Sequence, residues 1–272
     1  MEAKILFLDL DGTLLNDQKE ITPGNRAAIQ EALAQGHRVV VTSGRPLKSS
    51  LAQARRLELA GEGCYVIAYN GTVIYDCTTQ KEVFRRTLDL DTVYALFDEA
   101  RRRKMYVHTY DCEDVVVEPD ANLAITQLYC SILNIGYRMI ESVRSSLSGP
   151  PVKVLLIDRQ HREPLEEMAQ WIQASLAGRA DCFSSSPYFL EVVAHGMNKG
   201  AAVRELCARL GTDIRNALAV GDEGNDISMI RAAGTGIAMA NAIPAVKEAA
   251  DYVTERDNNH DGIEEIVRKF ML

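Results

Sequence analysis

The stretch Lys4-Ile5-Leu6-Phe7-Leu8-Asp9-Leu10-Asp11-Gly12-Thr13 decides how the rest of the chain is read. Ile5 to Leu8 form an apolar run without alternation, which suits a short strand buried on both faces. Two carboxylates follow at once, with a glycine and a hydroxyl behind them. In open parallel sheets, ligands sit beyond the carboxyl ends of the strands. Asp9 and Asp11 therefore stand where such a sheet does its chemistry. Two carboxylates two residues apart in extended chain point the same way. One can attack while the other transfers a proton, or both can orient oxygen ligands around Mg²⁺. A lone D-x-D-G fits a solvated acidic turn or a helix cap equally well.

Outward from this stretch, Thr22-Pro23 predicts a helix start, with Thr as N-cap and Pro at the first helical position. The helix runs to about Gln35, where Gly36 stops it. Arg38 to Thr42 is a β-branched run, followed by a helix from about Leu47 to Leu59 and a strand at Tyr65 to Tyr69. Alternating strands and helices with continuous apolar strands predict a parallel sheet covered on both faces. Asn70-Gly71 is a hairpin signal. The pattern then changes. Helices at Asp91 to Arg103, Ala121 to Asn134 and Pro164 to Leu176 mix with strands at Met105 to Tyr110, Asp114 to Glu118, Val152 to Asp158, Cys182 to Ser186 and Phe189 to Val193. A helix followed by two strands occurs twice, once before Pro119 and once after Pro164. After Gly196 the alternation returns, with strands at Ala217 to Val220 and Thr235 to Met239 and a last helix at Asp261 to Phe270. The fold class is α/β: a doubly wound, mostly parallel sheet core from residues 1–83 and 189–272. An α+β cap domain, 84–188, is inserted into it.

A chain of 272 residues buries a core of this size without disulfides or structural metals. Its net charge of −8 argues against a nucleic-acid partner, because phosphate neutralisation needs a basic face. It leaves room for a small anion held by a metal or a local basic cluster. No apolar stretch approaches the ~18 residues of a membrane span, and Asp9 interrupts the first apolar run too early for a leader. The six cysteines contain no C-x-x-C pair, so neither a zinc ribbon nor a redox motif is expected. Free buried thiols in the cytoplasm are the simplest reading.

Three further sites join Asp9 and Asp11. Thr42-Ser43-Gly44-Arg45 follows the second predicted strand, and its hydroxyl and backbone N–H groups suit phosphate oxygens. Gly221-Asp222-Glu223-Gly224-Asn225-Asp226 brings carboxylates to the same sheet edge. Lys199, behind Asn198 at a helix start, could offset phosphate charge. A capped βα loop, an acidic loop and a surface lysine would account for each alone. Four such sites at strand ends and helix starts, in this order, are hard to explain as solvation. Other motifs are weaker. Gly234-Thr235-Gly236 has Met239 where a dinucleotide fingerprint needs its third glycine. G-x-x-x-x-G-K-[ST] and H-E-x-x-H are absent. His195 and His260 read as loop histidines, and Arg101 to Lys104 as a solvated run at a helix C-terminus.

At these residues the chain resembles the haloacid dehalogenase superfamily. Asp9-Leu10-Asp11-Gly12-Thr13, Ser43-Gly44-Arg45, Lys199 and Gly221 to Asp226 look like its four motifs. Asn198-Lys199-Gly200, Gly236-Ile237-Ala238-Met239 with Asn241, and Asp261-Gly262-Ile263 resemble the Cof-type, sugar-phosphatase-like branch, whose cap lies between the second and third motifs. No motif position departs from the catalytic pattern. The resemblance implies a phosphatase of small phosphorylated metabolites. Asp9 would be the nucleophile and Asp11 the general acid and base. Mg²⁺ would lie on Asp9, the Asp11 carbonyl and Asp222. Ser43, the backbone N–H groups of Leu10 and Gly44, Lys199 and Asn225 would bind phosphate, with Asp226 behind them. Arg45 would contact substrate or form a structural ion pair. Asn70-Gly71 would be a turn first and a substrate contact second. The cap would cover the site and choose the substrate. A phosphomutase and a phospho-accepting signalling domain are the alternatives. The second lacks an insert of this length.

Overall fold

The computed structural model describes residues 2–112 and 114–272. The chain opens with β1 (Ile5–Leu8), α1 (Pro23–Ala34), β2 (Arg38–Thr42), α2 (Leu47–Arg56), β3 (Cys64–Ala68), β4 (Val73–Asp76) and β5 (Lys81–Arg85). It continues through α3 (Leu90–Arg102), β6 (Tyr106–Asp111), β7 (Asp114–Val117), α4 (Leu123–Leu133), β8 (Tyr137–Met139), α5 (Val143–Ser146), β9 (Val154–Ile157), α6 (Glu163–Ser175), β10 (Ala180–Ser186) and β11 (Phe189–Ala194). It ends with α7 (Lys199–Arg209), β12 (Ala217–Gly221), α8 (Ile227–Ile230), β13 (Thr235–Ala238), α9 (Pro244–Ala249), β14 (Tyr252–Val253) and α10 (Gly262–Phe270).

Two compact units result. The first comprises residues 1–44, 50–84 and 198–272, and the second residues 45–49 and 85–197. The first holds an eight-stranded sheet in the order β14-β13-β12-β1-β2-β3-β4-β5. Strands β14 to β3 are parallel, and β4 runs antiparallel to β3. Every residue of β1, β3 and β12 is buried, the burial that helices on both faces impose. The chain winds outward from β1 through β2 and β3 in one direction. It later winds from β12 through β13 and β14 in the other. The reversal lies between β1 and β12, and ligands bind in the crevice such a reversal opens at the strands' carboxyl ends. Asp9 and Asp222 follow those two strands directly.

Pro23 opens α1 as expected, and Thr22 sits at its N-cap. Its side chain does not cap the helix, however. Asp261, far along the chain, takes the N–H of Asn25 (3.1 Å) and the Thr22 hydroxyl (2.5 Å) on one carboxylate oxygen. The last helix therefore closes on the first. His37 donates through Nε2 to the Met271 carbonyl (2.9 Å), and the Glu264 N–H donates to the Asn25 side chain (2.8 Å).

The second unit has a six-stranded sheet in the order β10-β11-β9-β6-β7-β8. One apolar cluster joins Leu96 and Phe97 of α3, Met168 and Ile172 of α6, and Val116, Val154, Leu156, Leu190 and Val192 of the sheet. The boundary expected at residue 188 falls in the turn of the β10–β11 hairpin. Phe189–Ala194 pairs with β10 and β9, so this unit extends to Met197. The sequence shows Phe189 to Val193 as a strand but not its partners, and it is the pairing with β10 and β9 that assigns it to this unit. Helix α5 and strand β8 occupy chain that showed no strong local pattern. β8 is short and exposed throughout, which leaves no alternation to read. Among the described residues no helix is long and apolar enough to cross a membrane. All six cysteines are free, but Cys112 is exposed and Cys182 only partly covered, so burial holds for four of them.

Candidate active site

The Asp9 N–H continues the sheet by donating to the Val220 carbonyl (3.1 Å), which fixes the residue at the β1–β12 crevice. The chain then turns tightly. The Leu14 N–H reaches the Asp9 carbonyl and the Leu15 N–H the Leu10 carbonyl. Gly12 takes φ +82°, and a Cβ there would lie 2.3 Å from an Asp222 carboxylate oxygen. Glycine meets both demands, a left-handed backbone and close approach.

Asn198 caps α7 by accepting the Ala201 N–H (2.8 Å), so Lys199 enters the site from the helix's first turn. Its side chain is fully buried. The ammonium donates to Asp9 Oδ1 (2.5 Å) and to Asp226 Oδ1 (2.6 Å). The second oxygen of Asp226 accepts the N–H groups of Asp222 and Glu223, both at 3.0 Å. Asp226 thus ties the loop behind β12 to Lys199. Asp222 in turn accepts from the Thr13 hydroxyl (2.7 Å).

Carboxylate oxygens of Asp9, Asp222 and Asp226 lie within 4.8 Å of one another. Two charges at such a spacing repel by on the order of 3–4 kcal/mol even in a fairly polar interior. Burial, then the neighbouring carboxylates against the pull of Lys199, drives the Asp9 carboxyl well above its usual range. Burial likewise pushes Asp222 up to about 7, with the Thr13 hydroxyl opposing and Asp226 adding to the rise. Burial lowers Lys199, but Asp226 and Asp9 more than offset it, and the ammonium is held protonated. With all three ionised, the carboxylates would exceed the one ammonium by two negative charges. An all-oxygen donor set with that excess fits a hard divalent cation.

Asp11 is half-exposed and pairs with Lys19 (2.9 Å); its side chain is not in the three-carboxylate cluster. Ser43 is buried, and its N–H donates to the Ile67 carbonyl (2.8 Å). Asn225 donates through its amide to Asn70 Oδ1 (3.0 Å). His260 pairs with Asp257 (2.6 Å) and His195 with Asp181 (2.9 Å), both exposed. Arg101, Arg102 and Arg103 form ion pairs with Glu118 and Glu99. Sequence reasoning gave no task to Thr13 or Asn258. Asn258 donates to the Leu15 carbonyl (2.9 Å), and Asn241, which accepts the Asn258 N–H, donates to the Gly12 carbonyl (2.7 Å). The polar run Asp257-Asn258-Asn259-His260 between apolar segments was the available signal for a loop that serves the site.

A family model described as haloacid dehalogenase-like hydrolase matches residues 6–267. This chain belongs to that family. Within it, the chain is of the Cof-type branch. YxeH of Bacillus subtilis (strain 168) is 34% identical to this hydrolase, over 99% of this chain and 98% of its own. The 5-amino-6-(5-phospho-D-ribitylamino)uracil phosphatase YcsE of the same bacterium is 32% identical, over 100% of this chain and 97% of its own. A crystal structure of a haloacid dehalogenase-like hydrolase from Bacteroides thetaiotaomicron superposes with a TM-score of 0.86 at 32% identity. It covers 98% of this chain and 99% of the other. This hydrolase is a phosphatase enzyme.

Proposed function

We propose that this hydrolase is a Mg²⁺-dependent phosphatase of small phosphorylated metabolites, sugar phosphates or phosphorylated cofactors, acting through a phosphoryl group carried on Asp9. The observation that carries the reading is the buried Lys199 ammonium between Asp9 and Asp226 at the crevice of the sheet. Lys199 holds one oxygen of Asp9 and so directs the other. That oxygen bonds to phosphorus while the bond from phosphorus to the ester oxygen breaks, and Asp11 gives the departing oxygen its proton. Asp11 then takes a proton from water. The water oxygen bonds to phosphorus, the bond to Asp9 breaks, and inorganic phosphate leaves. The Asp11–Lys19 pair opens to release the carboxyl for this work.

Ser43, the backbone N–H groups of Leu10 and Gly44, Lys199 and Asn225 hold the nonbridging oxygens, on which charge spreads in the transition state. Asp9, the Asp11 carbonyl and Asp222 would hold Mg²⁺, which supplies positive charge beside a phosphate that two carboxylates would otherwise repel. Asp226 keeps Lys199 and the β12 loop in place. The second unit selects the substrate, and the enzyme works in the cytoplasm. The test is phosphate release from a broad panel of phosphorylated metabolites, with and without Mg²⁺, beside Asp9→Asn. Release that needs Mg²⁺ and Asp9 is expected. Turnover by Asp9→Asn at the wild-type rate would remove the covalent step. Isomer formation without phosphate release would make the enzyme a mutase.

A further inference from the structure

The turn between β3 and β4 has no part in the chemistry above, yet its backbone is unusual. Tyr69, Asn70 and Gly71 have φ of 50°, 55° and 105° in succession. Positive φ at a bulky tyrosine is costly and persists only where the surroundings over-determine it. The surroundings here are the loops that the phosphatase reading assigns to phosphate. Asn70 is wholly buried, and its N–H donates to the Ser43 carbonyl (3.1 Å). Its amide lies so near Gly44 that a Cβ there would stand 2.9 Å from the amide nitrogen. Its Oδ1 accepts from Asn225. Gly71 lies against the Asn198 carbonyl, which would be 2.3 Å from a Cβ at that position, one residue before Lys199.

We propose that Asn70 is a positioning residue for phosphate binding: by accepting one N–H of the Asn225 amide while packed on Gly44, it aims the other Asn225 N–H at a phosphate oxygen. A primary amide carries two N–H donors on one nitrogen. An acceptor fixed on one of them settles both the rotation of the group and which end is nitrogen. A donor set in advance gains most as charge builds on the phosphoryl oxygens. The left-handed backbone is what lets the Asn70 amide reach Asn225 from a turn whose N–H is bound to Ser43. The proposal rests on the phosphatase reading, and in particular on Asn225 as a phosphate ligand.

Asn70→Gly tests it, because glycine keeps the left-handed backbone and removes only the amide. Misplacing a catalytic group slightly costs about 10- to 100-fold in rate, so kcat/KM falls by about that factor and the inhibition constant of inorganic phosphate rises. In an Asn225→Ala background the same change costs less than about twofold, since residues acting through one contact are not additive. Gly44→Ala, which keeps its N–H and crowds the Asn70 amide, shows the same non-additivity and stands in if Asn70→Gly does not fold. Wild-type kinetics and phosphate inhibition in a folded Asn70→Gly, or losses that multiply in the double variants, would overturn the assignment. Asp9→Asn separates the two readings: if it turns over normally the phosphatase mechanism fails, whereas an inactive Asp9→Asn beside a wild-type Asn70→Gly removes only the role of Asn70.

Discussion

Lys199 is the cation that buried hydrogen bonds set between Asp9 and Asp226, and both carboxylates lean on it. Removing one partner of a buried pair strands the other, at about 3–5 kcal/mol, where an exposed pair is worth roughly 1 kcal/mol or less. Lys199→Met is therefore expected to lower the unfolding free energy by about 3–5 kcal/mol in urea at neutral pH. A loss below about 1 kcal/mol would mean that the pair is no more than a surface contact. Asp222 makes a second prediction. Burial raises its carboxyl from 3.8 to about 7. A folded value above the unfolded one contributes stability that is whole below about 4 and lost as pH rises through about 7. In the metal-free protein this group therefore opposes folding at pH 8. A cation that binds the ionised carboxylate offsets that cost and competes with the proton. The rise in Tm on adding Mg²⁺ should be larger at pH 8 than at pH 6; a rise independent of pH would show that Asp222 does not take part.

At the level of elements, the site is an agreement among loops, and glycines mark where they meet. Gly71→Ala would set a Cβ 2.3 Å from the Asn198 carbonyl at φ +105°, whereas Gly61→Ala meets nothing within 4 Å. The first is expected to cost roughly 1–3 kcal/mol for strained backbone and to shift the start of α7, the second to stay near wild type in thermal unfolding. Equal Tm values for the two would contradict the close approach. The same loops show what local sequence can carry. The strands and the acidic groups behind them were legible because a short unbroken apolar run suits little besides a buried strand, and carboxylates placed at its end mark a sheet edge. Thr13, Asn70 and Asn258 were not given these roles, because each acts through a hydrogen bond to chain 155 to 243 residues away. Such bonds leave no spacing to read. Thr22 illustrates the opposite error. Its position at the start of α1 was correct, but Asp261 supplies the hydrogen bond, and only the folded chain brings the two together.

For the whole molecule, the first unit is assembled from both ends of the chain around the insertion. Ile263, Ile266 and Val267 of α10 are fully buried. At about 1.5–3 kcal/mol for each such side chain, α10 contributes as much as a typical domain's net stability. A chain ending at Asp261 should lose cooperative unfolding; a sharp transition with wild-type midpoint would show that α10 is dispensable. The insertion was legible as a change of pattern, but not its far boundary, because the pairing of Phe189–Ala194 with β10 and β9 leaves no local signal in the sequence. The charge of −8 also gains a location. Asp9, Asp222 and Asp226 gather part of it around Lys199, where a cation that favours the ionised carboxylates would let an acidic protein accept an anionic ester. If Asp9 carries the phosphoryl group, acid quenching of a reaction on an ester labelled in that group traps the covalent species. Label on the peptide containing Asp9 is expected during turnover, and none in Asp9→Asn. Phosphate released with no labelled peptide at any time of quenching would contradict it.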